Sequence, residues 1–293
     1  LGDVYKRQVF RCLKPIWTTT TEAKNKCLTI INGVFRWAQA MGMLEGENPA
    51  DKRGALGVLL ENLSPHVKQP RNMGALDPEE MPEFFCELMN WGTIASKAFA
   101  FAILTASRSK AVRTARWSDI DLEAGTWTCP ESAMKVKGRG IFVVLLSTAA
   151  IRLLKSLPRM ANTDLVFPSP YQHKVMSDTG LGQIVGDMNK QAKKQGLPMW
   201  LDKAQTETLG KDIRITVHGT SRATFKTWTK LDANLKRFDR DAVELCLAHK
   251  LDDGYGGAYD RAAMVEERRR IMDAWGEFCC SKLNQPAKLR RKG

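Results

Sequence analysis

Six polar side chains sit where apolar patterning gives no reason for them. Arg108 follows an apolar run in LTASRSKAV, Lys135 lies in the basic turn MKVKGRG, and His218 and Arg222 share TVHGTSRATFKTW. His249 closes LCLAH, and Tyr259 stands in GGAYDR. Singly, each has an ordinary structural explanation: a surface salt bridge, a solvated turn, a helix cap, a packed ring. Together and in this order they form an inventory for breaking and rejoining a phosphodiester without a metal. The transferred phosphate gathers negative charge on its non-bridging oxygens. Two guanidiniums can hold those oxygens bidentately and stay charged at any working pH. A phenol, with a pKa of about 10, is a weak nucleophile at neutrality. A cationic pocket would stabilise its phenolate, and a nearby imidazole could accept the proton. A mobile lysine could protonate the departing sugar oxygen.

The elements that would position these groups read as helices around a small sheet. Residues 18–42 carry a helical period through Ile30, Ile31, Val34, Phe35, Trp37 and Ala38, and GENPA ends it with Gly and Pro. Asp77-Pro78-Glu79-Glu80 is an N-cap signature. The nearly unbroken apolar run 94–105 predicts a buried helix ahead of Arg108. Strand signals fall at 119–129 and 141–147, with the Lys135 turn between them. Helical patterns follow at 148–157, 179–195, 221–230, 240–248 and 260–282. This order predicts a mainly α fold with a small antiparallel β-sheet. Trp117, Trp127 and Trp228 read as core residues rather than base-stacking platforms.

The chain has 293 residues and a net charge of +13, which suits a polyanionic partner, since basic side chains at phosphates release condensed counterions. Its seven cysteines are scattered and odd in number, which argues against a zinc site or disulfide framework and for a reducing compartment. No apolar run approaches a membrane span, and the start has no signal-peptide pattern. Leu1–Gln8 (LGDVYKRQ), without an initiator Met, resembles the translated end of a transposon adaptor used in sequencing libraries. It is set aside from fold reasoning, and the natural N-terminus is expected to be missing.

These motifs in this order resemble the tyrosine recombinases, above all the integrases of prophages and genomic islands. LTASRSKAVRTARWSDIDLEAGTW is similar to the first Arg box, MKVKGRGIFVVLLS to the Met-Lys hairpin, and TVHGTSRATFKTW to the box with the first His and second Arg. LCLAH and AYDR resemble the second His and the nucleophile, ten residues apart, and ERRRIMDAWGEFC the closing helix. The similarity runs from about residue 73 to 281, and PIWTTTTEA with GENPA resembles the end of a core-binding domain. The resemblance implies a truncated helical, SAM-like core-binding domain over 9–60 and a linker over 61–73. A catalytic domain over 74–283 and a basic tail over 284–293 would follow.

By position, Arg108 and Arg222 would clamp the scissile phosphate and Lys135 would be the general acid. His218 would be a hydrogen-bonding or acid–base partner and His249 a donor to the phosphate. Tyr259 would attack and hold the 3′-phosphate, with Tyr255 as its rival. The link stores the bond energy, so neither ATP, metal nor other cofactor is expected. The implied partners are double-stranded attachment-site DNA, three further copies in a homotetramer, and DNA-bending or excision proteins. The implied place is the bacterial cytoplasm, at the nucleoid. Two positions depart from the family. Ala111 stands where an acid usually buttresses the site, and Arg222 follows His218 by four residues rather than three, with Ser221 at the usual place. A one-residue bulge would restore the geometry. A DNA-binding relic that no longer cuts, or a type IB topoisomerase, would share much of this pattern.

Overall fold

In the computed structural model the described residues are 2–18, 21–63, 72–133, 141–170, 173–249 and 264–283. They divide into a unit over Leu1–Arg71 and a unit over Asn72–Gly293.

In the first unit, apolar residues four apart put Val9 and Leu13 of α1 (Gly2–Trp17) and Leu56 and Leu60 of α3 (Ala55–Glu61) on inward faces. α2 (Thr21–Ala40) adds Leu28, with Ile31 and Phe35 packed against this cluster. The sequence placed Ile30, Val34 and Trp37 on the same apolar face, yet these are 66%, 58% and 57% exposed. The apolar stripe of α2 is wider than the face its neighbours cover. Gly2–Gln8, within the segment set aside on sequence grounds, form the first half of α1. Tyr5 lies against Phe35 with ring centroids 6.1 Å apart, and Lys6 pairs with Glu47 at 3.3 Å.

The second unit begins where Asp77 accepts from the Glu79 N–H and opens a short 3-10 turn into α4 (Met81–Asn90). α5 (Ile94–Leu104), capped by Thr93, is apolar on all sides and correspondingly buried. α6 (Ser109–Arg113) follows Arg108 directly, a helix the sequence reading missed. The stretch read as one strand over 119–129 is two, β1 (Ile120–Asp121) and β2 (Thr126–Cys129). Gly125 turns the chain between them at φ +63°, a conformation that suits a residue without Cβ. β3 (Phe142–Leu145) completes an antiparallel sheet in the order β1-β2-β3, with Trp127 opposite Val144.

Ser147 caps α7 (Thr148–Lys155), and α8 (Asp178–Lys194) packs on α5. α9 (Lys203–Leu209) was not anticipated, although Asp202 caps it and Gly210 ends it in the left-handed conformation. A π-helical turn (Gly219–Ala223) leads into α10 (Thr224–Trp228), and α11 (Asp232–Leu235) and α12 (Arg240–Cys246) follow. α13 (Val265–Cys280) closes the core against α4, α5, α7, α12 and β3. Its Trp275 is fully buried, donates to the Ile103 carbonyl at 2.8 Å, and packs against Phe225 and Trp228. Burying a ring of this size contributes about 3 kcal/mol and fixes α13 against α5. Trp127 and Trp228 are core residues as expected, whereas Trp117, also expected in the core, is half-buried and packs against its edge.

Candidate active site

Two helix endings of one kind build the cleft. At the end of α5, Ala106 takes φ +48°, its N–H reaches the Ile103 carbonyl, and the Ser107 N–H reaches back to Ala102. At the end of α12, Ala248 takes φ +53°, with the same pair of bonds to Leu245 and, from His249, to Glu244. Both are Schellman endings, with Ala holding a left-handed position that usually goes to Gly. They reverse the chain sharply enough to set Arg108 and His249 just beyond each helix. They also leave the carbonyls of Ala106 and Leu247 pointing at one place.

Arg222 fills that place. It is 7% exposed and donates from Nη1 to Ala106 at 2.9 Å and from Nη2 to Leu247 at 2.7 Å. Nη2 also lies 2.9 Å from His249 Nε2. The π turn accounts for the unusual spacing: an i→i+5 turn takes up one residue more than an α turn. Ser221, at the usual place of the second Arg, is instead buried and donates to the Ser107 carbonyl at 3.0 Å. The turn fits because two backbones nearly touch. A Cβ on Gly219 would overlap the Gly74 carbonyl oxygen, which also accepts from the Thr216 N–H at 2.8 Å.

Arg108 and Arg222 line one cleft together with Ala111, Cys129, Cys246 and Ala248. Burial, then the charge of Arg108, pulls the Arg222 guanidinium down to about 10, with Glu244 opposing. It remains a cation at neutral pH. Two like charges held together, one of them desolvated, form an anion site prepared in advance. The two thiols are not rival nucleophiles. Burial, then the charge of Asp119, pushes Cys129 up to about 11 against the pull of Arg108, and burial pushes Cys246 up to about 12. Both therefore stay protonated and unreactive.

The structure thus brings Arg108, Arg222 and His249 together. His218 is exposed at the start of the π turn, four residues before Arg222. Lys135, Tyr259 and its rival Tyr255 lie outside the described residues, as do most of the 61–73 linker and the basic tail. Ala111, 5% exposed, presents a methyl group to the cleft where an acid was expected. Glu244 and Lys226 went unrecognised in the sequence. Glu244 bonds His249 Nδ1 at 2.6 Å through Oε2 and Lys226 through Oε1. Burial alone would raise Glu244, but hydrogen bonds from Lys226 and then His249, with their charges, hold it below the usual glutamate value. The available signal was the helix ending itself, which folds the second residue past the cap back over the residue five before it.

The fold is similar to that of solved integrases. Residues 1–55 match the family model described as the phage integrase central domain. The chain is 27% identical over 277 residues to the prophage integrase IntZ of Escherichia coli, covering 94% of this chain and 60% of that protein. It is 24% identical over 296 residues to the integrase of Enterobacteria phage P4, again 94% and 60%. The chain therefore spans about 60% of the length of these relatives. A lambda integrase tetramer bound to a Holliday junction superposes with a TM-score of 0.55 at 15% identity, over 88% of this chain and 68% of that one. These findings support a tyrosine recombinase. No described helix is long and apolar enough to cross a membrane.

Proposed function

We propose that this chain is the DNA-cutting and rejoining part of a prophage-type integrase, acting by transesterification through a 3′-phosphotyrosine. The observation that carries this reading is the pair Arg108 and Arg222 on one cleft, with His249 Nε2 2.9 Å from the second guanidinium. Such a pair can neutralise both non-bridging oxygens of a phosphate as charge builds on them. Tyr259 would supply the attacking phenol, Lys135 the proton for the leaving sugar oxygen, and His218 a further hydrogen bond. The substrate would be double-stranded attachment-site DNA in the bacterial cytoplasm, bound by a homotetramer with DNA-bending or excision proteins as accessories. The similarity to prophage and phage integrases favours an integrase over a topoisomerase. Ala111 is the observation behind a second reading, a relic that binds DNA without cutting it.

The test uses the full chain and a pool of nicked suicide duplexes with randomised arms. A cut fragment diffuses away from such a duplex and traps the covalent intermediate. The expected result is an SDS-resistant protein–DNA adduct that is lost in Tyr259→Phe, with sequencing of the trapped DNA giving the site. DNA binding without any adduct establishes the relic, and an adduct that persists in Tyr259→Phe overturns the assigned nucleophile.

A further inference from the structure

The strongest unassigned group is Glu244, a carboxylate on α12 that touches the cleft through another residue. Its Oε2 lies 2.6 Å from His249 Nδ1. Its Oε1 is held by Lys226, which stands one turn beyond Arg222 on the helical stretch that begins with the π turn. On the far side of the imidazole, Nε2 lies 2.9 Å from Arg222 Nη2. The groups facing His249 are therefore Glu244 from its own helix, Arg222 from the π turn and, behind the carboxylate, Lys226 from α10.

The hydrogen-bond inventory settles the imidazole's proton. Arginine has donors and no acceptor, and an ionised carboxylate has acceptors and no donor, so the arrangement that satisfies both neighbours gives Nε2 a lone pair toward Arg222 and Nδ1 a proton toward Glu244. The ring proton is then on Nδ1 and is donated to the ionised carboxylate. The opposite arrangement would point N–H against N–H on one side and a lone pair against a carboxylate on the other.

We propose that Glu244, pinned by Lys226, is a positioning residue that selects the Nδ1–H tautomer of His249 and leaves the Nε2 lone pair facing Arg222; once protonated from solvent, Nε2 would leave Arg222 and donate to the DNA phosphate. The consequence differs from a simple donor role for His249. In this tautomer Nε2 can take up a proton while Nδ1 keeps its bond to the carboxylate, whose charge offsets the imidazolium formed. With a methyl group at Ala111, this carboxylate braces the cleft from the α12 wall, opposite in sequence to the place where the first Arg box would supply one. The consequence for catalysis rests on the phosphotyrosine reading; the tautomer itself does not.

The test has two arms on the full chain. The first labels histidine with 15N and reads tautomers from long-range 1H–15N spectra at mildly alkaline pH. The chain has four histidines, so His249 is assigned by its loss in His249→Gln. The expected result is the Nδ1–H form in the native chain, moving toward the Nε2–H form in Glu244→Ala and partly so in Lys226→Met, with the melting temperature checked alongside. An Nε2–H signal in the native chain, or no change in Glu244→Ala, overturns the proposal. The second arm measures single-turnover adduct formation on the trapped site, where Glu244→Gln is expected to be slower by about tenfold, part of the ~100-fold range of general acid–base groups. Slower adduct formation with an unchanged tautomer overturns the positioning role. A native chain that forms no adduct sinks the recombinase reading alone, because the spectra still decide the tautomer.

Discussion

Replacing Arg222 by lysine keeps a cation in the cleft but changes how many partners it can serve. The native guanidinium satisfies two buried helix-end carbonyls, Ala106 at 2.9 Å and Leu247 at 2.7 Å, through separate nitrogens. A single ammonium on a flexible stem cannot match that planar fork. One buried carbonyl left without a donor costs about 1–3 kcal/mol. For a domain of this size 1 kcal/mol is worth about 2–4 °C of melting temperature, so Arg222→Lys should lower Tm by about 4–8 °C at a central value near 2 kcal/mol. The same loss of bidentate geometry should slow adduct formation by about 100-fold, the usual cost of one preorganised donor. Calorimetry and single-turnover trapping on the same preparation read both numbers. A variant with unchanged melting and unchanged trapping refutes the argument, since Arg222 would then neither tie the two helix ends nor hold the phosphate.

Other substitutions probe the scaffold that aims these residues. Gly219→Ala should lower stability by about 3 kcal/mol or more, at the upper end of overpacking costs, because its Cβ meets the Gly74 backbone rather than a movable side chain; chemical denaturation measures it. Ala248→Gly should be stabilising by about 0.5 kcal/mol, since relief of a left-handed alanine (about 1–2 kcal/mol) exceeds the added freedom of the unfolded chain. Ala248→Val should be destabilising by about 1–2 kcal/mol, and urea midpoints distinguish the pair. Glu244 is depressed from its ordinary 4.5, so its contribution is present above that pH and is lost as pH falls through the lower folded value. Acid titration of stability should therefore be flatter in Glu244→Gln than in the native chain across that window.

Much of the site was legible because its residues interrupt apolar patterns. Arg108 ends a run too apolar to be a surface helix, and His249 follows four buried residues, Leu245–Ala248. Other features could not be read in the same way. Glu244 has the type and spacing of a solvent-facing helix residue, and its role depends on a left-handed Ala248 that propensity does not favour. The π turn is an insertion absorbed by backbone contact at Gly74 and Gly219, residues 145 positions apart in the chain. The exposed face of α2 went the other way: Ile30, Val34 and Trp37 have the period of a buried stripe, but burial needs a covering neighbour, which periodicity does not report. The division of 119–129 into two strands turned on Gly125, which marks a reversal as readily as it marks a bulge.

The central claim is that Arg108 and Arg222 neutralise the non-bridging oxygens of one DNA phosphate. Replacing one of those oxygens at the trapped site by a methyl group gives a methylphosphonate, which removes the charge and keeps the bond to be broken. Adduct formation by Arg108→Ala is then compared on the two substrates, Arg108 being the half-buried member of the pair. The account predicts a loss of about 100-fold or more on the phosphate and a much smaller one on the methylphosphonate. Equal losses on both substrates would contradict it.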